Sequence, residues 1–255
     1  MTNVTLVTSF FDIGRDTWTP DRGFPRNLAK TVDEYFADFA QLAELENEIF
    51  VFTTPEYFDR IAELRGDRPT TAFDFDLENE ADDLRERIDL VYATPDYQRL
   101  IDPHQRGYPK YWNSDYVVIR LLKATMVCIA AIQAQNDTMA WIDFDYCNAN
   151  KIPQGLTNFN YSGPTEQIHV FKIQDYQSQV TIHDIIAKNL VHIDTSCILA
   201  SKNNWKKLEF LIMEGVKELI QNFLIDDDSL FVLLATLVDK NLFVQHPQQN
   251  LFNFK

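Results

Sequence analysis

In the first half of the chain, short apolar runs alternate with longer stretches that carry apolar residues on one helical face. Val4 to Phe11 is rich in Val, Thr and Phe and is followed by the turn-forming Asp12-Ile13-Gly14-Arg15, which predicts a buried strand. Pro20, Gly23 and Pro25 mark a loop. Leu28, Val32, Tyr35, Phe39 and Leu42 then recur at helical spacing and predict a helix from about Asn27 to Leu45. Glu48 to Thr53 predicts a second strand closed by Pro55, Tyr57 to Arg65 a helix, and Thr70 to Leu77 a third strand. Between Asp74 and Asp89 stand eight acidic residues and two arginines, the pattern of a solvated helix face.

The Pro-, Tyr- and His-rich stretch from Thr94 to Trp112 reads as a loop, and Asn113-Ser114-Asp115 as a helix start. Val117, Leu121, Ala124, Cys128 and Ala131 give that helix an apolar face, widened by Val118, Leu122, Ile129 and Ile132, so it is expected to be largely buried. Met139 to Phe144 predicts the next strand, and Gln154 to Glu166 another loop. Ile168 to Ile173, Leu190 to Ile193 and Ser196 to Ala200 read as strands. Trp205, Leu208, Ile212, Val216, Leu219 and Phe223 define an amphipathic helix, and Asp226-Asp227-Asp228-Ser229 opens a further one through Val238. Strands alternating with helices predict an α/β fold, with a mixed, mainly parallel sheet flanked by helices.

Composition narrows the function classes. Of the 255 residues, 45% are hydrophobic and 24% charged, an ordinary globular balance. The net charge is −15, so the chain lacks the basic footprint with which proteins replace nucleic-acid counterions, and no nucleic-acid partner is expected. Cys128, Cys147 and Cys197 are widely spaced and form no CxxC pair, as expected of reduced thiols in a cytoplasmic protein. Met1-Thr2-Asn3 lacks the charged start of a signal peptide, and the long apolar helix contains Arg120 and Lys123, so no membrane span is expected.

Candidate chemistry centres on Asp143-Phe144-Asp145, at the carboxyl end of a buried strand, where open α/β sheets bind ligands. Residues two apart on a strand share a side, so both carboxylates are expected to reach one site. Their hard oxygens suit Mg2+ or Mn2+, which keep positions free for phosphate. Within Asp226-Asp227-Asp228, one carboxylate is a candidate general base, although helix capping alone accounts for such a run. His246, beyond the last helix, could fold back to complete a metal site. Gly14 permits a tight turn and Arg15 could pair with a phosphate. The fingerprints GxGxxG, P-loop, GxSxG and HExxH are absent from the sequence.

The segment Val7-Thr8-Ser9-Phe10-Phe11-Asp12-Ile13-Gly14-Arg15 resembles the opening of HtrL/YibB-type (WlaTC-type) bacterial proteins. Leu45-Glu46-Asn47-Glu48 through Phe52-Thr53, Arg68-Pro69-Thr70-Thr71, Tyr111-Trp112-Asn113-Ser114 and Trp141-Ile142-Asp143-Phe144 are similar too, and the likeness extends to about residue 240. The resemblance implies a GT-A-type, Rossmann-like glycosyltransferase of bacterial surface-polysaccharide synthesis. Such an enzyme would move a hexose, galactose by analogy, from a nucleotide-sugar donor, UDP-linked by preference, to a saccharide or lipid-linked saccharide acceptor. One domain over residues 1–255 would comprise a nucleotide-sugar half (about 1–146) and an acceptor half (about 147–255). Phe10, Asp12, Arg15, Asn113 and Asp143 would bind the nucleotide, Asp143, Asp145 and His246 the Mn2+ or Mg2+, and Asp227 or Asp228, with Asp228 preferred, would face the acceptor. Work at the inner face of the bacterial inner membrane would fit a lipid-linked acceptor, and the tail Leu251-Phe252-Asn253-Phe254 could make peripheral contact there, although a packed C-terminus is the better reading of it. Two other classes stay open: a metal-dependent phosphohydrolase or nuclease, and a non-catalytic nucleotide-binding relative.

Overall fold

The computed structural model describes residues 2–147, 151–247 and 251–253. In chain order the strands are β1 (Thr2–Asn3), β2 (Thr5–Ser9), β3 (Ile49–Thr53), β4 (Thr70–Asp74), β5 (Thr138–Ile142), β6 (Asn160–Tyr161), β7 (Ile168–Lys172), β8 (Ile193–Ser201) and β9 (Phe243–Pro247). The helices are α1 (Val32–Ala43), α2 (Phe58–Arg65), α3 (Leu77–Glu80), α4 (Asp82–Tyr92), α5 (Pro95–Leu100), α6 (Ser114–Leu121), α7 (Lys123–Ala130), α8 (Ile182–Lys188), α9 (Lys202–Gln221) and α10 (Asp228–Val238).

Seven strands form one sheet in the order β4-β3-β2-β5-β8-β7-β9, while β1 pairs antiparallel with β6. β8 runs antiparallel to both its neighbours and every other pairing in the large sheet is parallel. This is the mixed, mainly parallel sheet flanked by helices that the sequence predicts. The central strands β2, β3 and β5 are buried at every position, which is why they read as unbroken apolar runs. Alternation along β5 sends Met139 and Trp141 into the core on one face, with Trp205 and Phe231, and Ala140 and Ile142 into the core on the other, with Phe36, Phe39 and Phe144.

Several boundaries move for local reasons. α1 begins at Val32, not near Asn27, because Thr31 and Glu34 form a reciprocal capping box. The helix expected over Val117–Ile132 is broken at Leu122, between Arg120 and Lys123. The segments around Leu190 and Ser196 contribute to one strand, β8, and the loop expected over Thr94–Trp112 contains α5. β9 forms where the sequence predicts no strand, because an edge strand with alternating exposed polar positions lacks a long apolar run. The described part of the tail is packed, the reading preferred from the sequence. Leu251 and Phe252 are buried, the Leu251 N–H donates to Tyr146 Oη at 2.9 Å, and Phe252 packs on Tyr146 and Phe159; Phe254 lies outside the described residues.

Among the described residues, no helix is long and apolar enough to cross a membrane.

Candidate active site

The parallel strands β2, β3, β4 and β5 end at one edge of the sheet, and the antiparallel β8 begins there. Along this edge runs a cleft in three sections. One, of about 470 Å3, is lined by Phe11, Asp12, Thr54, Asp74, Arg85 and Asp115, among others. The middle one is lined by Phe10, Phe11, Arg15, Arg120, Lys123, Asp143 and Asp145, among others. The third, of about 300 Å3, is lined by Tyr108, Lys110, Arg120, Asp143, Thr195 and Asp227, among others. Phe11 belongs to the first two and Arg120 and Asp143 to the last two, so the sections adjoin along the edge.

Asp143 and Asp145 follow β5 on a turn, so the strand-alternation argument is corrected: the turn, not the pleat, sends both carboxylates to the cleft. The Asp143 N–H donates to Ser196 O and the Tyr146 N–H to Asp143 O, each at 2.8 Å. Phe144, between the two acids, turns inward and stacks on Phe39 with ring centres 4.3 Å apart, beside Phe10 and Phe36. This aromatic anchor fixes the turn. Phe10 is thus mainly a packing residue at the floor of the cleft.

Both acids face cations. Lys123 Nζ lies 2.7 Å from Asp143 Oδ1, which also accepts a 2.7 Å hydrogen bond from Trp141 Nε1. Lys30 Nζ lies 2.8 Å from Asp145 Oδ2 and 2.6 Å from Asp38 Oδ2. Asp143 Oδ2 and Asp145 Oδ1 take no hydrogen bond from the described residues. Among the described residues one oxygen of each acid thus accepts no hydrogen bond, and that donor set fits a Mg2+- or Mn2+-type ion, which takes one or two carboxylates and completes its shell with water and phosphate. Among the described residues, no three or more His, Cys, Asp or Glu side chains gather to hold a metal.

His246 is not brought to these acids. It lies on β9, opposite Phe171 of β7, and β8 still separates β7 from β5. Three strand spacings of ~4.8 Å put it roughly 14 Å away across the sheet. Its Nε2 lies 3.0 Å from Nδ1 of His169, and the two rings stack. Asn113 is not a lining residue either: its Oδ1 accepts the Tyr116 N–H at 2.7 Å and caps α6.

The first loop behaves as its sequence suggests. Gly14 has φ of 74°, a left-handed turn suited to glycine, and its N–H donates to Asp12 Oδ1 at 2.9 Å. Arg15 donates from Nε to Leu28 O at 3.1 Å and from Nη1 to Tyr35 Oη, and its guanidinium covers the Trp18 and Tyr35 rings. It is a fixed cation at the wall of the middle section.

The acidic run does more than cap a helix. Asp227 Oδ1 accepts the Ser229 N–H and caps α10, yet the residue also lines the third section. The preference for Asp228 at the acceptor is corrected: it is buried, with Oδ1 2.8 Å from Arg120 Nε and Oδ2 2.9 Å from Lys123 Nζ, and it does not line the cleft. Asp226 is buried 2.5 Å from Lys110 Nζ. Burial pushes the Asp226 carboxyl up to about 6 against the pull of Lys110. Burial also raises Asp227, but Lys110, Arg120 and the Ser229 contacts outweigh it and leave this carboxyl below its ordinary value. Burial lowers Lys123, but Asp143 and Asp228 overcome that and hold it above the ordinary lysine range.

Sequence reasoning missed Lys110, Arg120 and Lys123 as site residues. For Arg120 and Lys123 the available signal was a pair of cations in an otherwise apolar helix, since buried charges are almost always paired; Lys110, in the turn before α6, carried no such signal.

Among solved structures, the chain is similar to mouse xyloside xylosyltransferase 1 in its apo form, with a TM-score of 0.46 and 10% identity over 95% of this chain and 84% of that one. Among curated proteins, it is 33% identical to Protein HtrL of Escherichia coli (strain K12) over 237 residues, which is 91% of this chain and 83% of the relative. Residues 2–252 match the family described as "Bacterial protein of unknown function (HtrL_YibB)". With that span matched and a third of the positions shared with Protein HtrL, the chain belongs to the HtrL/YibB family.

Proposed function

We propose that this protein is a metal-dependent glycosyltransferase of GT-A type that moves a hexose from a nucleotide sugar to a saccharide acceptor in bacterial surface-polysaccharide synthesis. The observation that carries this reading is the meeting of two acidic elements in one cleft. The Asp143–Asp145 turn after β5 and the Asp227 start of α10 both line it, and Lys123 ties Asp143 to Asp228. The sections on the β2–β4 side would take the nucleotide, with Asp12 and Arg15 at the wall, and the section at Asp227 would take the acceptor.

Asp143 and Asp145 would hold the Mn2+ or Mg2+, and such an ion, when bound, supplies charge stabilisation for a departing diphosphate. Arg15 adds a fixed positive charge that a phosphate oxygen can meet. Asp227 faces the acceptor section and would take the proton of the attacking hydroxyl. A UDP donor carrying galactose is the first to test, and a lipid-linked acceptor would place the enzyme at the inner face of the inner membrane.

Thermal unfolding with UDP, GDP and CDP sugars, each with and without Mn2+, tests the reading, because a ligand of the native state raises the melting temperature. The reading expects a rise with one nucleotide sugar that depends on Mn2+. No rise with any of them would remove the nucleotide-binding premise.

A further inference from the structure

Arg120 stands where the two functional halves of the cleft meet. It lines both the middle section with Asp143 and Asp145 and the third section with Asp227. Its side chain is 23% exposed, whereas Asp228 beneath it is 3% exposed. The guanidinium is held on two of its edges. Nε donates to Asp228 Oδ1 at 2.8 Å and Nη2 to Thr195 Oγ1 at 3.3 Å, and the Tyr116 ring packs against it. Nη1 makes no hydrogen bond with the described residues. Asp228 is in turn pinned by Lys123, which reaches Asp143 and Thr195 O. A guanidinium held on two edges in the wall of a cleft, with Nη1 making no hydrogen bond to the described residues, is arranged to receive an anion, since its planar fork is pre-organised and always charged.

Resting on the nucleotide-sugar reading above, we propose that Arg120 is a catalytic residue: its Nη1 edge donates to the phosphate oxygen that carries the sugar, and Asp228 is its positioning residue. In the transfer, the bond between the anomeric carbon and that phosphate oxygen breaks, and its electron pair stays on the oxygen. The acceptor hydroxyl oxygen bonds to the anomeric carbon, and its proton passes to Asp227. The charge gained by the phosphate oxygen develops against Arg120. Within the acidic run, Asp228 makes the close contact with the arginine, at 2.8 Å, while Asp227 lies 3.8 Å from Arg120 Nε and lines the third section. An interaction that strengthens as the bond breaks acts on kcat more than on donor binding.

The test measures donor hydrolysis, starting with UDP-galactose, UDP-glucose and GDP-mannose, for the wild type, Arg120→Lys, Arg120→Ala and Arg120→Ala/Asp228→Asn. Arg120→Ala leaves Asp228 with Lys123 as its close cationic partner, and the double variant removes that excess negative charge, so folding and chemistry separate, and melting curves verify it. The proposal expects Arg120→Ala to lose roughly 100-fold in kcat, the effect of removing one such donor. Donor KM should move by less than about 3-fold, because the contact is made in the transition state. Added guanidinium should restore a good part of the rate to both alanine-containing variants, and Arg120→Lys should stay impaired, lacking the two-sided anchorage. A folded double variant that keeps the wild-type kcat, or one that guanidinium leaves inactive, overturns the proposal while the transferase reading stands. A wild type inert toward every nucleotide sugar overturns the transferase reading, and the proposal falls with it.

Discussion

Lys123 Nζ sits 2.7 Å from Asp143 Oδ1, joining the helix that starts at Lys123 to the turn that follows the central strand β5. The same ammonium lies 2.9 Å from Asp228 Oδ2, so one buried cation ties both acidic elements of the cleft together. Removing one partner of such a pair leaves uncompensated buried charge, which costs about 3–5 kcal/mol. Lys123→Ala is therefore expected to lose roughly that much in chemical denaturation. A loss below ~1 kcal/mol, the scale of an exposed pair, would show that the bridge does not hold the two elements.

Arg65 illustrates a structural charge away from the cleft. Fully buried, it donates to Ala43 O (2.8 Å), Leu45 O (2.5 Å), Asn47 O (2.8 Å), Pro69 O (3.0 Å) and Thr70 Oγ1 (2.8 Å), locking α2 to the loops that lead into β3 and β4. Each buried acceptor left without a donor costs about 1–3 kcal/mol. Arg65→Leu is expected to lose more than ~3 kcal/mol on that basis. Equilibrium urea unfolding checks it, and an unchanged midpoint would contradict the assignment.

The Asp226–Asp227 pair gives a pH signature. Burial raises the Asp226 carboxyl to about 6, so the folded state holds its proton more tightly than the unfolded chain does. The resulting stability is fully present below about 4 and is lost as pH rises through about 6. Asp227 is lowered, so its contribution has the opposite sign, present at neutral pH and lost as pH falls below about 4. Carbon-13 NMR of labelled aspartates should find one carboxyl titrating near 6 that disappears in Asp226→Asn. If every aspartate titrates below ~5, nearer the ordinary range, the buried environment assigned to Asp226 is wrong.

His246 lies across the sheet from the acidic turn. His246→Asn is accordingly expected to leave Mn2+ affinity within about 2-fold of wild type in calorimetric titration with UDP present, since metal ligands and their supporting partners cost ~10–100-fold when changed. A drop of that larger size would return His246 to the metal site.

The legible parts of the fold were those where burial leaves a local pattern. β2, β3 and β5 are buried on both faces and announce themselves as apolar runs, and α9 shows its inward stripe from Trp205 to Leu219. The place of Asp143–Asp145 at the carboxyl end of β5 was legible because an abrupt change to acid follows an apolar strand. The partnership of Lys110, Arg120 and Lys123 with Asp226, Asp143 and Asp228 was not, because it joins elements distant in sequence and depends on how α6 and α7 settle against α10. His246 misled because a position after the last helix says nothing about which strand the segment joins, and it joined the edge beyond β7. Asn113 misled because a helix cap and a ligand contact use the same side chain, and the α6 N-terminus took it.

The most direct test of the central claim is donor turnover with UDP-galactose and related nucleotide sugars in Mn2+ and in EDTA, for the wild type and Asp145→Ala. The account predicts nucleotide diphosphate release by the wild type in Mn2+, abolished by EDTA and by Asp145→Ala. Turnover unchanged by both EDTA and Asp145→Ala would contradict it.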